Sequence, residues 1–416
     1  MKLGIKANRT QFFLLVLLVV FVGALLGSER TIVPVMAEDT FHLTNGMLIL
    51  SFIATFGLSK AIVNLFAGHW SDRVGRKKVL MWGWIIGLPV PVLLAFAPNW
   101  NWVIGANILL GINQGLAWTM TSVGKIDLVG PQGRGLAVGI DEGAGYLGLA
   151  ASGWVTALLA AKFGLRPIPF VLAEVVALLG LLSTITLLRE TREFALLEHT
   201  QSSHAKSLSP LDLKDAFAET TWKNPGLSTL SLDGQINKWS DTLMWGIMPL
   251  YLASEHVSLP QIGLVAGVYA GTWGLAQFGT GLLSDHIGRR KPILMGLTLN
   301  AIGVLGLYLF HHVGLWVLSA GLGGLGTALL YPNLSSAVSD IAPPAHRGGI
   351  TGVFRLWRDG GYAVAALLLG AISTASSLHM TILVVGILLL MTTILSWWRL
   401  PETLPRLVVH QHQKIG

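Results

Sequence analysis

Twelve separate stretches of this chain are each apolar over roughly the twenty residues that a helix needs to cross the hydrocarbon of a bilayer. Lipid offers backbone N–H and C=O groups no water to bond, so runs of this kind can only be helices that satisfy themselves. They cover 11–36, 47–69, 79–97, 102–123, 136–160 and 167–188, then 227–251, 261–283, 292–310, 315–339, 350–372 and 380–398. The expected fold is therefore an all-α integral membrane protein of twelve transmembrane helices. A length of 416 residues would otherwise suit two or three soluble domains, but only 12% of the residues are charged, about half the share in soluble domains. The first run is too long for a secretory signal, and Glu29 and Arg30 interrupt it before any cleavage site. Cysteine is absent, which excludes disulfides, thiolate metal sites and thiol catalysis.

The basic residues report orientation. In the segments outside the apolar runs, 21 Lys and Arg fall on one side and only Lys162 and Arg166 on the other. By the positive-inside rule both termini are expected in the cytoplasm, with the chain multi-pass in the cell (inner) membrane. The net charge of +7 thus reads as topology, and no nucleic-acid partner is expected. One long polar stretch, 190–223, divides a first bundle (1–189) from a second (224–416). Within it Ser209, Pro210 and Asp212 predict the start of a short helix, and Leu213, Phe217 and Trp222 would lay it on the membrane surface.

The two halves repeat. Gly68, Asp72, Gly75, Arg76, Lys77 and Lys78 follow the second run, and Gly281, Asp285, Gly288, Arg289, Arg290 and Lys291 follow the eighth, 213 positions later. The same offset joins Asp127 to Asp340 and Arg134 to Arg347, and one of 212 joins Glu190 and Thr191 to Glu402 and Thr403. This duplicated G-x-x-x-D-x-x-G-R-[RK]-[RK] loop resembles the signature of the major facilitator superfamily, and the resemblance covers essentially the whole chain. It implies two pseudo-symmetric six-helix bundles that rock about a central site by alternating access. It also implies that Asp72, Arg76, Asp127, Arg134, Asp285, Arg289, Asp340 and Arg347 form a charge lattice closing the cytoplasmic gate.

An ionisable side chain at mid-membrane costs roughly 2.5–3.5 kcal/mol on insertion scales, so such residues are functional candidates. In the superfamily the first, fourth, seventh and tenth helices line the cavity. The first carries Glu29 and Arg30, in a context resembling the acid-x-Thr-Ile-Val motif of drug:proton antiporters. On the seventh, Asp233, Asn237 and Asp241 share a face and Lys238 can reach Asp241; on the fourth, Asn107, Gln114, Trp118, Thr121 and Lys125 form a stripe. Arg30 and Lys238 are the expected solute clamps, helped by Asn107, Gln114, Trp118 and Asn237. Glu29, Asp241 and Asp233 are the expected proton-coupling acids, since none of the 12 histidines lies deep in a span. Arg355, Arg358, Asp359 and Tyr362 share one face of the eleventh helix, and Lys60 on the second would pair with Asp359 as an interhelical lock or charge switch.

Two stretches, Gly143 to Gly148 and Gly321 to Gly326, match G-x-G-x-x-G, but both sit inside apolar runs. That fingerprint needs a strand before it, so these read as packing glycines. No constellation indicates an enzyme, a cofactor or a metal site. The antiporter pattern is also incomplete: Gly111 stands where drug:proton antiporters carry Arg, and the Gly143–Gly145 motif lacks its Pro. The expectation is a monomeric, proton-coupled secondary transporter for a small anionic or zwitterionic organic solute. The alternative is a multidrug efflux pump using Trp118, Trp245, Trp273 and the same acids; a transporter-like receptor is a third reading.

Overall fold

The computed structural model describes residues 2–130, 134–195, 212–342 and 347–404. Among them every regular element is helical, and the helices string into twelve rods. In the first half α1 runs over Arg9–Arg30 and resumes as Val33–Asp39, and α2 is Gly46–Val74. Then α3 is Arg76–Gly87 continued by Pro89–Ala95, α4 is Trp100–Val129, α5 is Arg134–Phe163 and α6 is Ile168–Thr186. In the second half α7 is Pro225–Thr242, carried through a π turn at Leu243–Ile247 into Met248–Ser254. It is followed by α8 (Leu259–Ile287), α9 (Arg290–Leu309), α10 (Val313–Ile341), α11 (Arg347–Ala375) and α12 (Leu378–Arg399). Eight of the rods are long and apolar enough to cross a membrane on composition alone. Of the other four, α4, α7 and α11 carry the polar stripes noted above.

Prolines locate the interruptions, which the run boundaries alone did not show. Pro34 cannot donate to the carbonyl of Arg30, and α1 breaks between Arg30 and Val33. Pro249 deprives Trp245 in the same way, and α7 widens there into its π turn. Each break thus falls beside a side chain that points into the centre. Pro332 sits inside α10 without a break, because Thr280 of α8 donates its hydroxyl to the stranded Ala328 carbonyl at 2.9 Å.

The halves meet along two seams, α5 against α8 and α2 against α11. Small residues bring these and the neighbouring backbones close. A Cβ at Gly23 of α1 would collide with the Gly145 carbonyl of α5, and one at Gly148 with the Val20 carbonyl. A Cβ at Gly324 would strike the Tyr269 carbonyl and one at Gly326 would sit 2.5 Å from the Asn300 nitrogen. Both fingerprint-like stretches are helix-packing surfaces, as their context predicts.

The two ends of the assembly differ. Away from the basic loops, the Gly46 amide of α2 donates to Thr374 Oγ1 of α11 at 2.8 Å, and Val33–Asp39 meets Met248–Ser254. Deeper toward the basic end, Lys60, Asn64 and Glu142 are partly exposed and Arg355 is exposed. At that depth such groups face water and not lipid, so a cleft opens from the basic end to the middle of the bundle. The linker helix Leu213–Ala218 starts at Asp212, later than the sequence expectation, and Ser209 and Pro210 lie outside the described residues. It docks on α11 through Phe217 against Trp357 and a 3.0 Å bond from Trp357 Nε1 to Thr221, leaving Trp222 at the surface.

Because the atom facing Gly23 is a backbone carbonyl that cannot move aside, Gly23→Ala is expected to destabilise the purified protein by about 1–3 kcal/mol. Gly279, which meets open space, should accept Ala with no change in the thermal midpoint measured in detergent.

Candidate solute site

At the break in α1, Arg30 is 2% exposed and Glu29 is fully buried. Their closest atoms are 3.4 Å apart. The guanidinium lies under an aromatic roof, 4.3 Å from the centre of the Phe56 ring, 5.4 Å from Trp245 and 5.5 Å from Phe52. None of its three nitrogens has a hydrogen-bond acceptor among the described residues. Asn107 donates to Glu29 Oε2 at 3.0 Å, and Gln114 donates to the Val22 carbonyl at 3.0 Å. The side-chain oxygens of Asn107 and Gln114 remain without donors among the described residues.

Across the interface, Lys238 Nζ bonds Asp241 Oδ2 at 2.6 Å, the i, i+3 pair that the sequence predicts. Tyr269 donates to Asp241 Oδ1 at 2.5 Å and Tyr362 to Oδ2 at 2.9 Å. The ammonium stands 5.0 Å from the rings of Trp273, Tyr331 and Tyr362, a cation–π cage. Aromatic contacts carry this cage to the other half, through Tyr362 on Phe56 and through Trp273 on Tyr146, which in turn meets Trp118. Asn237 joins the cluster by donating to Thr327 at 3.2 Å, and Thr327 lies 3.0 Å from the Tyr269 hydroxyl.

Asp233 does not join it. The face it shares with Asp241 turns against α12, where Ser396 donates to it at 2.5 Å. On the fourth-helix stripe, Trp118 donates to Glu142 at 3.2 Å, whereas Lys125 leaves the site to pair with Asp141 of α5 and with the Leu15 carbonyl. The expected Lys60–Asp359 pair is also absent in this conformation. Arg358 folds back on its sequence neighbour with two bonds to Asp359, at 2.8 and 3.1 Å, and Asn64 of α2 supplies a third at 3.0 Å. A planar guanidinium meets both carboxylate oxygens with its rigid fork, a geometry that a point-like ammonium does not match. The Lys60 ammonium instead lies 5.7 and 5.5 Å from the Phe56 and Trp118 rings. Arg355 is exposed and apart from the buried members of its helix face.

The duplicated loops match almost bond for bond. Arg76 Nε meets Asp127 at 3.0 Å and Arg289 Nε meets Asp340 at 3.1 Å. Glu190 accepts from the Arg76 and Lys77 amides, and Glu402 from those of Arg289 and Arg290, each carboxylate capping a helix start. Thr191 and Thr403 complete the two clusters by donating to Asp127 and Asp340. These bonds are made within each half. The side chains of Asp72, Arg134, Asp285 and Arg347 lie outside the described residues.

Sequence alone does not single out Tyr146, Tyr269, Thr327 or Tyr331 as site residues. For two of them the repeat held a signal: Tyr269 stands 213 positions after Phe56, and Tyr331 the same distance after Trp118. Aromatic residues therefore occupy matching places in the cages of both halves.

A buried ion pair stripped of one partner loses about 3–5 kcal/mol. Asp241→Asn is expected to destabilise the protein on that scale in chemical unfolding. The double change Lys238→Met, Asp241→Leu should recover most of the loss, because no bare charge remains.

A family model described as "Major Facilitator Superfamily" matches residues 11–232 and 236–414. The chain is 28% identical to Multidrug resistance protein 2 of Bacillus subtilis (strain 168) over 214 residues, a match spanning half the length of each. It is 25% identical to the multidrug resistance protein MdtG of Rahnella sp. (strain Y9602) over 372 residues, 88% of this chain and 85% of that one. To a probable 4-methylmuconolactone transporter of Cupriavidus pinatubonensis it is 25% identical over 285 residues, covering 62% and 63%. The fold is shared with a point mutant of the nucleoside transporter NupG, with a TM-score of 0.73 at 14% identity over 93% of this chain and 99% of the other. The repeated loops, the twelve rods and the family match agree, and the chain belongs to the major facilitator superfamily of membrane transporters.

Proposed function

We propose that this chain is a proton-coupled secondary transporter for a small organic anion or zwitterion, bound between Arg30 and the Lys238 cage. The observation that carries the reading is the Arg30 guanidinium, buried and without a hydrogen-bond acceptor among the described residues. A desolvated guanidinium is costly unless its donors are met. A carboxylate answers it with two parallel charge-assisted bonds, while Phe52, Phe56 and Trp245 accommodate the solute's apolar part. Asp241 holds Lys238 in place, and the amides of Asn107, Gln114 and Asn237 supply polar contacts. The bodies that rock are 1–189 and 224–416, with 190–223 as tether and the basic loops forming the gate. With both termini in the cytoplasm of an inner membrane, the cleft of this conformation faces inward, and a single copy holds the complete site.

Multidrug efflux is the second reading, favoured by the names of two relatives and by Trp118, Trp245 and Trp273 in the cage. It would use Glu29 and Asp241 to meet a lipophilic cation. Glu29 and Asp241 are instead held by Asn107, Arg30, Lys238, Tyr269 and Tyr362.

A thermal-shift series with benzoate, glutamate, glycerol phosphate and tetraphenylphosphonium separates the two. A ligand at a hundredfold excess over Kd stabilises the folded state by about 2.7 kcal/mol. Stabilisation by anions, abolished in Arg30→Gln, is the expected result. Stabilisation by tetraphenylphosphonium alone, lost in Glu29→Gln, would replace this reading with efflux.

A further inference from the structure

Four buried bases at the core of the bundle each hold a carboxylate: Arg30 with Glu29, Lys125 with Asp141, Lys238 with Asp241 and Arg358 with Asp359. Two acids there have no base: Asp233, turned away from the cleft against Ser396 of α12, and Glu142, which lies at the cleft. Glu142 of α5 receives a single bond, from Trp118 Nε1 to its Oε1 at 3.2 Å. Its other oxygen, Oε2, is buried and has no hydrogen-bond partner among the described residues. No base stands within ion-pair distance of it there. Lys60, a base of the cleft, lies over the Phe56 and Trp118 rings, so the indole of Trp118 stands between it and Glu142.

The position of Glu142 adds a second argument. The residue is partly exposed at the cleft although its Oε2 is buried, while the next residue, Gly143, packs against Gly274 and Phe278 of α8. The α5–α8 seam must rearrange if the halves rock, and Glu142 sits at its edge. Closing the cleft would remove the water from a carboxylate that has one donor and no cation. An ionised group in that setting is costly, and a proton on Oε2 removes the charge.

We propose that Glu142, and not Glu29 or Asp241, carries the coupled proton. In the open cleft the carboxylate takes one proton from water and becomes a neutral carboxyl, which the closed seam can cover. When the opposite side opens, the carboxyl returns that proton to water there and the carboxylate is restored. Asp241 is unsuited to this task because three donors already fill its oxygens. The groups that face Glu142 electrostatically are Lys60 of α2, Lys125 of α4, Arg358 of α11, Tyr331 of α10, and Asp141 and Tyr146 of its own helix.

The proposal rests on the proton-coupled reading above, but its test needs no solute. Infrared spectra of the reconstituted full-length protein, recorded as pH is lowered, read the C=O stretch of protonated carboxyls directly. A band that grows with acid in the wild type, vanishes in Glu142→Gln, shifts in Glu142→Asp and is unchanged in Glu29→Gln is the expected result. A band that survives Glu142→Gln, or a wild type that shows none, would overturn the assignment. Failure of the anion screen would instead remove the proposed solute class and leave the infrared result standing.

Discussion

A charge without a partner inside a membrane is expensive, and the centre of this molecule is arranged around that fact. Each base buried there is matched by an acid, but the matches are not alike. Lys125 and Asp141 are fully buried and tie α4 to α5 within one half, so they act as a permanent brace. Lys238 and Asp241 are enclosed by tyrosines from α8 and α11. Arg30 has the weakest hold, one acid at 3.4 Å and aromatic faces. That gradation separates structural pairs from the group with donors to offer, using geometry alone.

The same cost governs the backbone. Prolines in α1, α7 and α10 each leave a carbonyl unserved, and the three cases are resolved differently. The first two interrupt the rod beside Arg30 and Trp245, where irregular backbone borders the cage and not lipid. The third is repaired by a hydroxyl from the neighbouring helix.

What the sequence makes legible follows from what is periodic. Twelve runs, the loop duplication and the Lys238–Asp241 pair all rest on spacing along one helix or on the repeat itself. Pairings across helices are not encoded that way. The partner of Asp359 depended on whether a side-chain rotamer lets Arg358 fold back, and spacing says nothing of that. Asp233 shares the helical face of Asp241, yet eight residues along the helix bring it to α12 and Ser396. Tyr269 and Tyr331 look like ordinary tyrosines in apolar helices until the halves are aligned. Their matches, Phe56 and Trp118, then show a cage inherited twice and altered in one copy. The loop clusters were instead kept nearly identical, at 3.0 and 3.1 Å for the two Arg–Asp contacts. On the proposed function, ends that part together would gain from symmetry, whereas a site that recognises one solute would have no use for it.

The hydroxyl that Thr280 lends to α10 has a mechanical consequence. If α8 slid along α10 by even one residue, the Ala328 carbonyl would be left bare beside a proline, so the two helices are pinned as one lever. Trp273 rides on α8 and Tyr331 on α10, so two of the three rings of the lysine cage belong to that lever. The α8 side of the seam with α5 belongs to it as well. On the proposed site, a solute that pushed on those two rings would turn the seam directly.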